Sequence, residues 1–231
     1  MDKLKKGLKW FSESFIWLAI LMLVIDIVTK NIIIHYGKEI TSANQYSTHG
    51  SSTLDGGINL IPGFLGINYL INENIAFGLT LGTTEITQIV FSIVAILVVI
   101  GIIFFLVKKW DKTNRFYRAC FMLIIAGAIG NVIDRIFYSP EYLNYNGARG
   151  VVDWIDFYGI WGFNFNIADS CVVVAAFMLI IYMIVEEIKE YRAKKKLEKE
   201  EPKNPKDNEK VLSQTELEKQ RLLEEGKEKD E

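Results

Sequence analysis

Residues 86–107, ITQIVFSIVAILVVIGIIFFLV, decide the fold, because they form a long apolar segment without a charged side chain. Charged residues stand only at its borders, where Glu85 precedes the segment and Lys108 follows it. A helix of roughly 20 apolar residues matches the hydrocarbon thickness of a bilayer. The segment therefore predicts a membrane-spanning helix.

Three further segments have a similar character, at about residues 15–34, 119–137 and 165–185. Each is apolar over most of its length and contains a few polar side chains toward one end. Four such segments within the first 185 residues favour membrane spans over buried helices of a large soluble protein. The sequence thus predicts an α-helical membrane protein with four transmembrane helices.

Charge is distributed unevenly along the 231 residues. Residues 186–231 contain 28 of the 54 charged side chains, although half of the whole chain is hydrophobic. We expect a membrane domain at residues 1–190, followed at 191–231 by a charged cytoplasmic tail that is disordered or partly helical.

A net charge of −2 gives no basic surface for nucleic acid. Two histidines and two cysteines do not supply a zinc cluster of standard spacing, so no metal is expected.

Basic residues predict the orientation in the membrane. They cluster before the first span, between the second and third, and after the fourth, whereas the other two loops contain only Lys38 and Arg149. The positive-inside rule therefore predicts that both termini are cytoplasmic. Residues 36–66 form the first outer segment, and the alternating sequence that begins at Ile58 indicates short strands, a small β-rich element outside the membrane.

Ionisable and amide side chains gather at one predicted depth. In this topology the first and third spans run outward and the fourth runs inward, so their polar ends all meet near the outer surface. Charged groups inside a membrane are costly and point to a functional site. The residues concerned are Asp26, Lys30, Asn131, Asp134, Arg135, Asn166 and Asp169.

Two of the acidic groups have no obvious cation to neutralise them. Asp153 lies in an apolar, aromatic stretch between the third and fourth spans, and Asp169 lies at the start of the fourth. Two such carboxylates at one depth suggest a shared proton and acid–base chemistry. For Asp26 with Lys30, and for Asp134 with Arg135, simple ion pairs that tie helix ends together are an equally good interpretation.

Other chemistries find less support in the sequence. A small proton-coupled transporter is the main alternative, since intramembrane Asp and Lys residues also mark ion pathways. The polar residues gather at one depth, however, and no pair of interrupted helices is evident. Cys120 begins the third span on the cytoplasmic side and Cys171 lies near the outer start of the fourth, so the two are too far apart for a disulfide and are expected to be core residues.

Five motifs resemble those of the lipoprotein signal peptidases, the bacterial signal peptidase II family of membrane aspartic proteases. They occur in the family's order over residues 26–170, and the four predicted spans agree with its topology. The motifs are Asp26-Ile-Val-Thr-Lys30, Asn72-Glu-Asn-Ile-Ala-Phe-Gly78, Gly130-Asn131-Val-Ile-Asp134-Arg135, Val151-Val-Asp153-Trp154 and Phe165-Asn166-Ile-Ala-Asp169-Ser170.

The resemblance implies a role for each matched position. Asp153 and Asp169 would be the catalytic pair that activates water, and Asp134 would support the site. Substrate-binding roles would fall to Asp26, Lys30, Asn72, Asn131, Arg135 and Asn166. The implied substrate is a prolipoprotein that carries diacylglycerol on a cysteine and is cut immediately before that cysteine. The enzyme would need no cofactor and would act as a monomer, among membrane lipids, with its site near the outer face of the inner membrane.

The sequence also departs from the family pattern. Asn74 and Ile75 replace the usual Gly-Ala, and residues 36–66 and 138–149 are longer than in compact members. The roles of these extensions and of the charged tail stay open, as does the identity of the lipoproteins that are cut. None of the departures removes a motif aspartate.

Overall fold

A computed structural model describes residues 2–41, 57–73, 82–139, 142, 149–157, 160 and 163–200. Its helices are α1 (Asp2–Ser14), α2 (Ile16–Thr41), α3 (Thr84–Lys109), α4 (Arg115–Phe137) and α5 (Ile167–Glu200). Its strands are β1 (Ile58–Ile61), β2 (Leu65–Asn72), β3 (Val151–Asp156) and β4 (Asn164–Phe165). The substitutions at Asn74 and Ile75, most of both loop extensions and the chain beyond Glu200 lie outside the described residues.

Helices α2, α3, α4 and α5 are each long and apolar enough to cross a membrane. The number of spans expected from hydropathy is therefore confirmed. The fourth helix begins at Ile167 rather than near 165, because Asn164 and Phe165 pair with β3 as a short strand. Many apolar side chains of α3 are exposed, as lipid-facing residues are, including Leu97, Phe104 and Val107.

The four strands form one antiparallel sheet in the order β1-β2-β3-β4. The strands expected after residue 57 are present as β1 and β2. The sequence predicts only an apolar segment outside the membrane around Asp153. In the structure this segment is the strand β3. In the β2–β3 register Asn72 faces Val151 and Leu70 faces Asp153, which brings Asn72 and Asp153 to the same end of the sheet.

The sheet packs against one end of the helices. Ile33 near the end of α2 and Tyr138 after α4 form a buried apolar cluster with Ile71 of β2 and Val152 of β3. This cluster fixes the two central strands beside α2 and α4. The ends of those helices therefore meet the strand that carries Asp153.

Two glycines let α4 approach the start of α5. A Cβ added at Gly130 would lie 2.6 Å from Oδ2 of Asp26 and 3.0 Å from the Cβ of Ala168. At Gly127 an added Cβ would collide with the backbone carbonyl of Ala168. The absence of side chains at these positions allows the N-terminus of α5 to lie directly against α4.

The chain divides into compact units at residues 1–179 and 180–231. The first unit contains every residue predicted for the site. In the second unit the described residues continue α5 to Glu200, with an exposed ion pair between Lys189 and Glu186. Both cysteines, Cys120 and Cys171, are buried free thiols, as expected.

Candidate active site

Asp153 is buried on β3, with 1% of its surface exposed. Its Oδ1 accepts a hydrogen bond from Asn166 Nδ2 at 2.7 Å, and its Oδ2 accepts one from Asn72 Nδ2 at 2.9 Å. Asp156 lies three residues later on the same strand, so its side chain points to the opposite face of the sheet. Both oxygens of Asp153 are thus held by amide groups from separate elements.

Asp169 lies in the first turn of α5 and forms a capping box with Asn166. The Asn166 Oδ1 accepts from the Asp169 backbone N–H at 2.8 Å, and the Asn166 backbone N–H donates to Asp169 Oδ2 at 3.3 Å. Such reciprocal bonds satisfy backbone donors that a helix start leaves unpaired. The local sequence Asn-x-x-Asp therefore fixes the Asp169 carboxylate where the helix dipole favours negative charge.

Asn131 and Asn166 connect the two carboxyl groups. Asn166 Nδ2 donates to Asp153 and also lies 3.1 Å from Asn131 Oδ1. Asn131 Nδ2 in turn donates to Asp169 Oδ1 at 2.7 Å. One continuous hydrogen-bond network therefore contains Asp153, Asp169 and both asparagines.

A buried triad of Lys30, Asp26 and Asp134 lies beside this network. The Lys30 ammonium is 2.8 Å from Asp26 Oδ2 and 2.9 Å from Asp134 Oδ2, and all three side chains are at most 1% exposed. Lys30 also donates to Asn131 Oδ1 at 3.2 Å. The pairing of Asp134 with Arg135 considered from sequence is wrong: among the described residues, the cation paired with Asp134 is Lys30.

Each carboxylate of the lysine triad also holds a backbone segment of the site. Asp26 Oδ1 accepts from the Ala168 N–H at 2.9 Å, one residue before Asp169. Asp134 Oδ2 accepts from the Val152 N–H at 3.0 Å, one residue before Asp153. The triad therefore links α2 and α4 to the two segments that carry the unpaired aspartates.

Arg135 is held by a residue that sequence analysis missed. Its Nε donates to Gln88 Oε1 at 2.9 Å, and its Nη1 donates to the Asn131 carbonyl at 3.3 Å. Gln88 is buried on α3, and its Nε2 donates to the carbonyl of Glu73. The signal in the sequence that could have identified Gln88 is an amide side chain within an apolar span, because polar groups at membrane depth require partners.

Burial governs the protonation of Asp153. Removal from water raises the pKa of its carboxyl well above the ordinary value, and the nearby charge of Asp169 raises it further. Hydrogen bonds from Asn72 and Asn166 act in the opposite direction without cancelling the rise. Asp153 therefore retains a proton at a pH where an exposed aspartate has lost it.

All nine residues predicted for the site meet in one polar cluster or contact it directly. Among the described residues, no group of three or more His, Cys, Asp or Glu side chains has a geometry that could hold a metal ion. A buried and a partly exposed carboxyl group, joined by amide side chains at the end of a four-span helical protein, are the arrangement expected of a membrane aspartic peptidase.

Comparisons with known proteins agree with this class. The family model for signal peptidase (SPase) II matches residues 18–185, and the chain belongs to that family. The chain is 32% identical over 172 residues to the lipoprotein signal peptidase of Fusobacterium nucleatum, covering 74% of this chain and 86% of that one. Identity is 37% over 141 residues to the enzyme of Desulfitobacterium hafniense, covering 61% and 83%.

A solved structure has a similar fold. A bacterial membrane enzyme determined by the in meso method at 2.3 Å resolution aligns with a TM-score of 0.54 and 28% identity, over 74% of this chain and 88% of that one. The protein is thus a multi-pass aspartic endopeptidase of a bacterial membrane, of the family that removes signal peptides from prolipoproteins. The transporter alternative finds no support.

Proposed function

We propose that Asp153 and Asp169 are the catalytic pair, and that they cleave the peptide bond preceding a diacylglyceryl-modified cysteine of a prolipoprotein. The observation that carries this proposal is the hydrogen-bond network through Asn166, which bonds to both carboxyl groups and holds them in one site. Like charges in such a site do not ionise together, so the pair holds one proton near neutral pH.

The environments of the two carboxyl groups determine which of them carries that proton. Asp153 carries it, because burial on β3 raises its pKa and no helix end compensates. Asp169 carries the negative charge, because it accepts from Asn131 and from the Asn166 N–H at the N-terminus of α5. Asp169 is therefore the general base and Asp153 the general acid.

Cleavage then proceeds by attack of water on the scissile carbonyl. Asp169 takes a proton from the water as its oxygen bonds to the carbonyl carbon, and Asp153 donates its proton to the carbonyl oxygen. When the tetrahedral intermediate collapses, the C–N bond breaks and the leaving amine takes the proton now on Asp169. The oxygen returns its proton to Asp153, which restores the starting state of the pair.

Arg135 and Asn72 are the residues proposed to hold the substrate chain. Arg135 is partly exposed and is oriented by Gln88, so its guanidinium can donate to substrate carbonyls. Asn72 ends β2 next to Asp153, where an extended peptide would pass. Asp26 and Lys30 are proposed to support the pair instead, because both are buried, Asp26 accepts from the Ala168 N–H and Lys30 is ion-paired with Asp26.

The proposed orientation puts both termini in the cytoplasm and the site near the outer face of the inner membrane. The Lys and Arg distribution supports it, since basic loops lie at the end of the helices opposite the sheet. The acyl chains of the substrate then stay in lipid while its peptide reaches the water side. We propose that residues 1–190 suffice for this activity and that the enzyme acts as a monomer.

Replacing the aspartates tests the catalytic assignment. Asp153→Asn and Asp169→Asn preserve side-chain size and remove the acid–base function, and each also replaces one accepting oxygen by an amide nitrogen. Each should lower kcat on the order of a thousandfold, within the range of about 10²–10⁴ for such steps. The double variant should be little worse than either single one, because the pair acts as a unit.

Asp156→Asn is the matched control. Asp156 is an equally buried carboxyl of the same strand that faces away from Asp153. With a lipidated precursor and purified enzyme, this variant should keep most of its activity, provided that its folding is verified by thermal unfolding in detergent. Near-normal cleavage by both single variants at Asp153 and Asp169 would refute the catalytic assignment.

A further inference from the structure

Helix α1, Asp2–Ser14, has two chemically different faces. Leu4, Leu8 and Phe11 follow the spacing of one helix stripe, and they are 69%, 60% and 41% exposed. The opposite side is rich in lysine, with exposed side chains at Lys5, Lys6 and Lys9. An amphipathic helix with large apolar residues on one face and lysines on the other is typical of a membrane-surface segment.

The connection between α1 and α2 separates the two helices by a change of direction. Phe15 has a φ of 59°, in the left-handed region, so one straight helix cannot continue from Ser14 to Ile16. Ser14 is buried and bridges the break, since its Oγ donates to the Phe11 carbonyl and accepts from the Ile16 N–H. Because Ile16 begins a membrane span, α1 ends at the level of the membrane surface.

Aromatic contacts keep α1 beside the bundle. The Trp10 ring lies 5.8 Å from that of Trp110, which follows α3. The Arg115 guanidinium, at the start of α4, lies over the Phe15 ring. The Trp10 contact joins α1, and the Arg115 contact joins the residue that follows it, to the end of the bundle where α2 and α4 begin and α3 ends. The exposed apolar stripe of α1 thus lies near the lipid boundary.

Positive charge extends from α1 across this end of the protein. Helix α1 contains four lysines against two acidic residues. The neighbouring ends of α3 and α4 add exposed basic side chains at Lys108, Lys109, Lys112 and Arg115. A basic surface beside a membrane span complements a leaflet of anionic lipids, whose negative potential attracts Lys and Arg near the surface.

We propose that α1 is an interfacial helix that binds the anionic headgroups of the adjacent leaflet. Leu4, Leu8 and Phe11 enter the boundary between headgroups and acyl chains, while Lys5, Lys6 and Lys9 face the phosphates and water. This lipid site lies at the opposite end of the bundle from the candidate active site. It depends on the placement and charge of α1 and not on the catalytic assignment.

Spin labels on the full-length protein test the depth of the two faces. Leu8→Cys and Lys6→Cys are labelled separately, since the native thiols Cys120 and Cys171 are buried. The protein is then placed in phosphatidylcholine nanodiscs with and without phosphatidylglycerol. We expect the label at residue 8 to be accessible to oxygen and shielded from a water-soluble nickel complex, more so with phosphatidylglycerol, and the label at residue 6 to show the reverse.

The other outcomes would overturn the proposal. Equal access of the nickel complex to both labels in both lipids would mean that α1 extends into water. Shielding of residue 8 from both reagents, with dipolar broadening between labels, would mean that a second copy covers the apolar stripe. Cleavage activity in detergent shows in each case that the labelled protein is folded.

Charge is tested by a variant with Lys5→Gln, Lys6→Gln and Lys9→Gln. Each lysine near an anionic surface raises the preference for anionic lipid about fivefold. Removal of three lysines should therefore lower the preference of α1 for phosphatidylglycerol on the order of a hundredfold. The control carries Gln at Lys194, Lys195 and Lys196, which are exposed lysines on α5. It should keep the preference of the parent protein, and equal loss in both variants would contradict the proposal.

Discussion

Replacing Lys30 by Met tests whether the lysine triad supports the fold as well as the site. Methionine has nearly the length of lysine but no charge and no hydrogen-bond donor. The substitution removes an ammonium that lies 2.8 Å from Asp26, 2.9 Å from Asp134 and 3.2 Å from Asn131. It leaves two buried carboxylates facing each other without a cation between them.

The size of the effect follows from that burial. Removing one partner of a buried ion pair costs about 3–5 kcal/mol, since the remaining charge has no compensation. Each carboxylate keeps one backbone donor, from Ala168 or Val152, so the cost should not double for two partners. We expect the free energy of unfolding to fall by about 3–5 kcal/mol, a factor of roughly 10²·² to 10³·⁷ in the folded-to-unfolded ratio.

Equilibrium unfolding in mixed micelles, with added dodecyl sulfate as the denaturant, measures this change. Lys189→Met is the matched control, because Lys189 lies at the same 2.8 Å from Glu186 but both side chains are exposed to solvent. It should leave the unfolding curve unchanged. A Lys30→Met protein whose unfolding free energy stays within about 1 kcal/mol of the parent would refute the argument from burial.

Three other substitutions probe separate contacts of the site. Asn72→Ala removes a hydrogen bond that lowers the pKa of Asp153, so this pKa should rise in the variant. The decline of kcat/KM at alkaline pH should therefore move to higher pH, and an unchanged pH profile would contradict the role of Asp153 as the acid. Gln88→Leu should raise KM on the order of tenfold with a smaller effect on kcat, because Arg135 loses its acceptor, and Gln88→Glu should restore most of the loss. Gly130→Ala puts a methyl group 2.6 Å from a carboxylate of the lysine triad, and unfolding should show a loss of about 1–3 kcal/mol.

The spans could be predicted from sequence because lipid imposes a simple rule on composition. A helix in a bilayer must be long and apolar, and α3 satisfies that rule over its entire length. The start of the last helix differs from the predicted one, since Asn164 and Phe165 extend the sheet and not the span. Apolar sequence alone does not distinguish a two-residue strand from the start of a membrane helix.

The site was predicted as a set of residues but not as a set of contacts. Asp26 and Lys30 share a helix face and their pairing follows from spacing, whereas Asp134 meets Lys30 only through the packing of α4 on α2. The donors from Ala168 and Val152 are backbone groups, so no side-chain pattern in the sequence indicates them. Gln88 was not predicted, because the average hydropathy of its segment hides a single amide side chain.

The capping box at the start of α5 bears on how resistance to an inhibitor could arise. A compound that engages Asp153 and Asp169 also meets Asn166, whose side chain serves both the acidic pair and the first turn of a helix. A substitution at Asn166 that weakened the compound and left no side-chain acceptor would also remove an N-cap, which costs about 0.5–2 kcal/mol of stability. Escape by mutation at these positions therefore carries a folding penalty in addition to lost turnover, which makes the capping box a durable contact for inhibitor design.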